Sequence, residues 1–101
     1  MNYDKATWRS SGIYAIVNKV NGRRYIGATS RFLYRWTSHK LHLNKGDHLT
    51  RELQQDWTVY GPDAFEFLIL QVAGPMSLKQ LEMEYTNQCD NPYNTNYRRL
   101  P

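Results

Sequence analysis

Residues 12–27 read GIYAIVNKVNGRRYIG, and the fold turns on how this stretch is divided. Residues 12–18 and 23–28 are two runs of strand-forming residues. Between them, Val20-Asn21-Gly22-Arg23 carries an Asn-Gly pair, a strong hairpin signal. Thr29 or Ser30 then suits a helix N-cap, with a helix from Arg31 to about His42 and Gly46 beyond its end. Leu49, Leu53 and Trp57 recur at every fourth position, which predicts a second amphipathic helix closing near Gly61-Pro62. Phe65 to Leu70 is a third strand by composition. Ser77 with Gln80 has the spacing of a capping box and opens a last helix, Leu78 to Gln88. Asn91-Pro92-Tyr93-Asn94 is turn-rich. The expected class is α+β: a small three-stranded antiparallel sheet, hairpin plus third strand, flanked by three helices.

The bulk numbers restrict the function classes. With 101 residues, 41% of them hydrophobic, and three Trp, three Phe and eight Tyr, the chain is expected to fold as one domain over residues 1–101. A net charge of +4 permits a phosphate-bearing partner without requiring one. Cys89 is the single cysteine, which excludes a disulfide framework and a cysteine zinc site and points to a reducing, cytoplasmic compartment. Met1 to Ser11 holds Asp4, Lys5 and Arg9 and no apolar run, so neither a signal peptide nor a membrane anchor is expected. No glycine-rich phosphate cradle follows a strand.

Gly12-Ile13-Tyr14 and Tyr25-Ile26-Gly27, set about ten residues apart around a hairpin and followed by a helix bearing Arg35, resemble the two signature tripeptides of the GIY-YIG nuclease family. The likeness runs over nearly the whole chain and is greatest to catalytic domains of phage intron homing endonucleases. The resemblance implies a metal-dependent DNA endonuclease that hydrolyses phosphodiester bonds with one divalent ion, Mg²⁺ or Mn²⁺. It implies that Tyr14 contacts the attacking water and that Tyr25 helps place the water or the scissile phosphate. Arg35 would neutralise the phosphate, His39 would handle a proton, Glu82 would hold the metal, and Asn94 would brace the site. Arg35, Lys40 and His48 are the expected DNA contacts. DNA is the implied partner, with a homodimer or a separate specificity partner supplying target choice and no membrane involved. Thr86 departs from the family pattern, which more often has isoleucine there.

The residue chemistry agrees with these implied roles. Phosphodiester hydrolysis needs an activated water, a cation on the phosphoryl oxygens and a proton for the leaving oxygen. A guanidinium matches phosphate as a planar fork, which a lysine does not. Arg35, His39 and His42 stand at i, i+4 and i+7 and so project from one helix face, while Leu33 and Trp36 turn toward the core. His42 reads as a surface residue. In the last helix Leu78, Leu81, Tyr85 and Cys89 form an apolar face. Glu82 lies at its margin and the rival Glu84 further round, which favours Glu82 as the inward carboxylate. Asp63 and Glu66 lack the lysine of another carboxylate-bearing nuclease signature, and no other close pair of acids offers a two-metal cage, so a single-metal site is expected.

The catalytic assignment also selects the hairpin register. A two-residue turn at Asn21-Gly22 would separate Tyr14 from Tyr25 by about 13 Å along the strands. A three-residue loop would put them on opposite faces. A four-residue loop, Lys19 to Gly22, pairs Ile16 with Tyr25 and Tyr14 with Gly27 and makes the tyrosines same-face neighbours at about 7–8 Å. It would also leave open space over Gly27. The bland alternatives are a nucleic-acid-binding module that keeps the nuclease fold without turnover, and a basic protein–protein adaptor.

Overall fold

The computed structural model describes residues 3–93. Three strands, β1 (Gly12–Asn18), β2 (Arg24–Thr29) and β3 (Phe65–Val72), form an antiparallel sheet in the order β2-β1-β3. The hairpin register is the four-residue one: Ile16 faces Tyr25 and Tyr14 faces Gly27, and the Asn18 N–H donates to the Arg23 carbonyl. Its cause lies in Asn18, the last residue of β1, and Asn21 in the loop. Asn18 Oδ1 accepts from the Val20 N–H and Asn21 Oδ1 from the Arg23 N–H, so each side chain closes its own small turn. Gly22 takes the left-handed conformation at φ 77°, and Asn21 does not. A two-residue type I′ turn needs both.

Among the described residues four α-helices cover this sheet, where three were expected. α1 (Lys5–Trp8) is a single turn capped by Asp4, whose carboxylate accepts from the Thr7 N–H. No apolar period announces so short an element; it is anchored by Trp8 stacking on Phe67. α2 (Phe32–Lys45) starts one residue later than expected and runs three further, ending in left-handed Gly46. Neither Thr29 nor Ser30 caps it: the cap position is Arg31, and Thr29 Oγ1 accepts from the Arg31 N–H just outside the helix. α3 (Arg51–Tyr60) buries Leu53 and Trp57, but Leu49 precedes the helix and is 100% exposed. α4 (Leu78–Gln88) has the expected bounds. Its capping box does not form, because a 3-10 turn over Pro75–Ser77 leads straight into the helix and holds Ser77 in helical geometry.

The sheet is the middle of three layers. Tyr14, Ile16, Phe65 and Phe67 face α1, α2 and α3 and join Phe32, Trp36, Leu43, Leu53, Trp57 and Tyr93 in one core. Ile13, Ala15, Val17 and Ile26 face α4, where Leu78, Leu81, Tyr85 and Cys89 pack as the expected apolar face. β1 is buried at every position because both of its faces are covered. Leu33 is exposed, correcting its expected inward turn; the buried stripe of α2 is Phe32, Trp36, His39 and Leu43. Thr86 is fully buried on α4, and its hydroxyl is satisfied by donating to the Glu82 carbonyl at 2.7 Å. The polar residue thus occupies an apolar position without shifting the helix.

Two glycines set how closely these layers approach. A Cβ on Gly27 would overlap the Oη and Cζ of Tyr14, and one on Gly12 would strike the carbonyl of Gln71 and the Phe32 ring. The space over Gly27 is therefore filled by the Tyr14 ring itself, contrary to the open space expected there. Backbone on a paired strand can yield less than a side chain. Gly12→Ala is accordingly expected to cost about 3 kcal/mol in a urea titration and Gly27→Ala about 1–2 kcal/mol, both as overpacking losses. The reverse order would show that the β1–β3 contact is looser than described.

Candidate active site

Tyr14 comes from the central strand, Tyr25 from β2, Arg35 and His39 from α2, His48 from the loop after α2, and Glu82 from α4. The hairpin register puts the two tyrosine rings on one face, with centroids 6.4 Å apart. Arg35 Nε donates to Tyr14 Oη at 3.3 Å, and the guanidinium also interacts with the Tyr25 hydroxyl. His39 Nε2 lies 2.6 Å from Tyr14 Oη. On its other side His39 Nδ1 lies 2.8 Å from His48 Nε2, and the two imidazoles stack with centroids 5.0 Å apart. The Thr50 N–H donates to His48 Nδ1 at 3.0 Å, and Gln54 fixes the loop by accepting from the His48 N–H.

His39, expected as a proton-handling residue of the site, is buried at 4% exposure. The spacing signals this: Phe32, Trp36, His39 and Leu43 follow an i, i+4, i+7, i+11 stripe. His48 has both ring nitrogens engaged, leaving it no free nitrogen for a phosphate in this arrangement. Lys40 is exposed with its ammonium 5.2 Å from the Trp36 ring. His42 is at the surface as expected, 2.9 Å from Asp47. Asn94 lies outside the described residues. The residue before it, Tyr93, is buried, donates its hydroxyl to Asp56 at 2.6 Å, accepts from Asn18 at 3.0 Å, and lies under the Arg23 guanidinium. Sequence reading missed this clasp because Asn18 and Asp56 each look like an ordinary turn or helix residue.

A cleft of about 400 Å³ opens at this cluster, lined by Tyr25, Arg35, His39, His42, His48 and Thr50, with Ser38, Asp47 and Leu49. Its electrostatics are set first by burial. Burial raises the pKa of Tyr14, Tyr25 adds to the rise, and Arg35 opposes it. Tyr25 is raised for the same first reason. Burial alone would favour a neutral Arg35, but its interactions with the two tyrosines hold the guanidinium charged. Burial, then the charge of Arg35, pushes His39 down to about 3 and lowers His48 as well. At neutral pH Arg35 is therefore charged, while His39 and His48 are neutral imidazoles.

Glu82 is half-buried, and α4 lies against β2, an edge strand of the sheet. Across that edge its carboxylate disfavours ionisation of both Tyr14 and Tyr25. Glu84 points outward and accepts from Gln80. Among the described residues no three His, Cys, Asp or Glu side chains form a metal cage. The Glu82 carboxylate and the phenol oxygens are hard donors, the kind that suit a cation keeping water and phosphate oxygens as its other ligands rather than a protein-enclosed ion.

Comparison with known proteins bears on the same residues. Residues 10–94 match the family described as the GIY-YIG catalytic domain. The chain is 39% identical over 61 residues to intron-associated endonuclease 1 of Enterobacteria phage T4, covering 60% of this chain and 24% of that protein. It is 35% identical over 92 residues to the "Probable intron-encoded endonuclease 1" of Neurospora crassa, covering 82% of this chain and 29% of that one. It thus spans about a quarter of the length of these curated relatives. The solved catalytic domain of the homing endonuclease I-TevI superposes with a TM-score of 0.78 at 30% identity, covering 83% of this chain and 96% of that one. Among the described residues no helix is long and apolar enough to cross a membrane.

The neutral histidines make stability depend on pH. A histidine whose folded pKa is depressed stabilises the fold fully above its unfolded value, near 6.5, and loses that contribution as pH falls toward the folded value. For His39 the window runs from about 6.5 down to about 3, beginning above the range in which carboxylates titrate. Thermal unfolding followed by circular dichroism is expected to show stability falling below about pH 6.5, by on the order of 2–4 kcal/mol at the acid end, and His39→Gln should flatten that fall. An unchanged profile in His39→Gln would show that His39 is not held neutral.

Proposed function

The chain belongs to the GIY-YIG catalytic-domain family, and on that basis we propose that it is a DNA endonuclease that hydrolyses phosphodiester bonds with one divalent ion, Mg²⁺ or Mn²⁺. The observation that carries this reading is the meeting of Tyr14, Tyr25, Arg35 and His39 beside one cleft, with the Glu82 carboxylate acting on both tyrosines.

Each side chain has a role suited to its position. Arg35 binds the scissile phosphate through the nitrogens it does not spend on Tyr14, and its planar fork matches two phosphoryl oxygens. Tyr14 contacts the attacking water, and Tyr25, at the cleft wall, orients the water or the phosphate. His39 holds the Tyr14 oxygen from the core side at 2.6 Å and steadies charge that develops there. Glu82 holds the cation, which when bound supplies positive charge for the phosphoryl oxygens. Lys40 suits a backbone phosphate contact, and Asn94 is assigned the bracing role on family resemblance, with the Tyr93 clasp anchoring the chain beside it. One site per chain cleaves one strand at a time, so a double-strand break takes a second protomer or rebinding. Target choice is assigned to a homodimer or a separate specificity partner.

Cleavage of supercoiled plasmid with Mg²⁺ or with chelator tests the reading. Glu82→Gln keeps size and helix propensity but removes the charge a hard cation needs. It is expected to lose cleavage by several orders of magnitude while retaining DNA binding, whereas Glu84→Gln should cut normally. Arg35→Lys is expected not to restore turnover, because a point charge replaces a fork. Normal cleavage by Glu82→Gln would remove Glu82 as the metal ligand, and no cleavage by the unaltered chain with either metal would remove the proposal in favour of a binding module.

A further inference from the structure

The hydrogen-bond directions around His39 follow from one fixed donor. The Thr50 N–H donates to His48 Nδ1 at 3.0 Å, and a backbone amide cannot reverse its direction. His48 Nδ1 therefore carries a lone pair, and the ring's hydrogen sits on Nε2. That nitrogen faces His39 Nδ1 at 2.8 Å, so the bond runs from His48 to His39. His39 Nδ1 is then an acceptor as well, its own hydrogen sits on Nε2, and this N–H points at Tyr14 Oη, 2.6 Å away. The opposite order, with Tyr14 O–H donating to His39 Nε2, would require His48 to accept at both ring nitrogens, which a neutral imidazole cannot do. A protonated His39 would set two N–H groups against each other.

We propose that His48 is a positioning residue: seated on the Thr50 N–H, it fixes the tautomer of His39 so that His39 Nε2–H is turned onto the Tyr14 oxygen. Tyr14 Oη then accepts from two nitrogens, Arg35 Nε and His39 Nε2, and its own hydrogen has to point elsewhere. Both donors bind more strongly as negative charge gathers on that oxygen. The loop after α2 thereby acts on the reacting end of the site through two imidazoles, without touching substrate. Gln54 belongs to the same device, since it accepts from the His48 N–H and donates to the Leu43 carbonyl, tying the loop to the end of α2.

The catalytic meaning of this relay rests on the endonuclease reading, but the tautomer does not, so the two can fail separately. The experiment is a long-range ¹H–¹⁵N histidine spectrum of the full chain at neutral pH, without metal or DNA. His39 and His48 are both expected as Nε2–H tautomers with acceptor-type Nδ1 shifts. Tyr14→Phe removes the group at the far end, and His39 is expected to keep its tautomer. His48→Ala removes the group that sets it, and His39 is expected to become a mixture of the two forms. In His48→Gln, whose amide N–H can still donate to His39 Nδ1, the Nε2–H form should remain predominant, which tests the relay with a less disruptive change. An Nδ1–H tautomer at His39 in the unaltered chain would overturn the proposal. So would a tautomer that changes in Tyr14→Phe and not in His48→Ala. A chain that shows the expected spectra but cuts no DNA would sink the endonuclease reading and leave the relay standing.

Discussion

A phenol oxygen packed into the middle of a sheet must find hydrogen-bond partners there, and at Tyr14 that demand organises the whole site. The ring is closed in by Phe67, stacked at 4.9 Å, and lies over Gly27, where a Cβ would collide with it. Its oxygen is met by Arg35 and His39. Those two residues reach it because α2 buries Phe32, Trp36 and Leu43, a seating that turns the intervening histidine inward. Moving α2 by one residue would carry its apolar stripe off Phe67 and both partners off Tyr14. Core packing and site geometry are thus a single constraint.

The layered fold explains how groups from distant parts of the chain converge. β1 is buried along its whole length, so an accessible cleft has to form toward an edge. β2 provides that edge, with Tyr25 on the side of α2 and α4 against the other side. Glu82, at the margin of the apolar face of α4, acts across it on the tyrosines. At the far end of the hairpin, Asn18, Asp56 and Tyr93 join the turn, α3 and the end of the described chain. That clasp gives the four-residue loop a reason beyond local turn chemistry, since Asn18 serves both the turn and the clasp.

Much of this was legible in the sequence where a side-chain pattern has a single physical reading. The paired tripeptides fixed the tyrosines, and the need to place both on one face selected the hairpin register over the pull of Asn21-Gly22. The apolar face of α4 separated Glu82 from Glu84. Other features were illegible for definable reasons. α1 is one turn held by Trp8, too short for periodicity. Ser77 had a capping spacing that the preceding proline turn pre-empted. Leu49 matched the period of α3 but fell before its first turn. The depth of His39 follows only when it is read as part of the Phe32, Trp36 and Leu43 stripe of α2. The part played by Thr50 comes from its backbone amide, which no side-chain pattern records.

The central claim is that the Tyr14 oxygen, where the hairpin and α2 meet, is the working end of the site. Single-turnover cleavage of a labelled duplex by Tyr14→Phe tests it most directly, because the ring and its packing remain and only the oxygen is lost. The account predicts a rate reduced by a factor of at least about 10², the lower scale of general acid–base contributions, with folding and DNA binding retained and with Tyr3→Phe unaffected. Cleavage by Tyr14→Phe at the rate of the unaltered chain would contradict it.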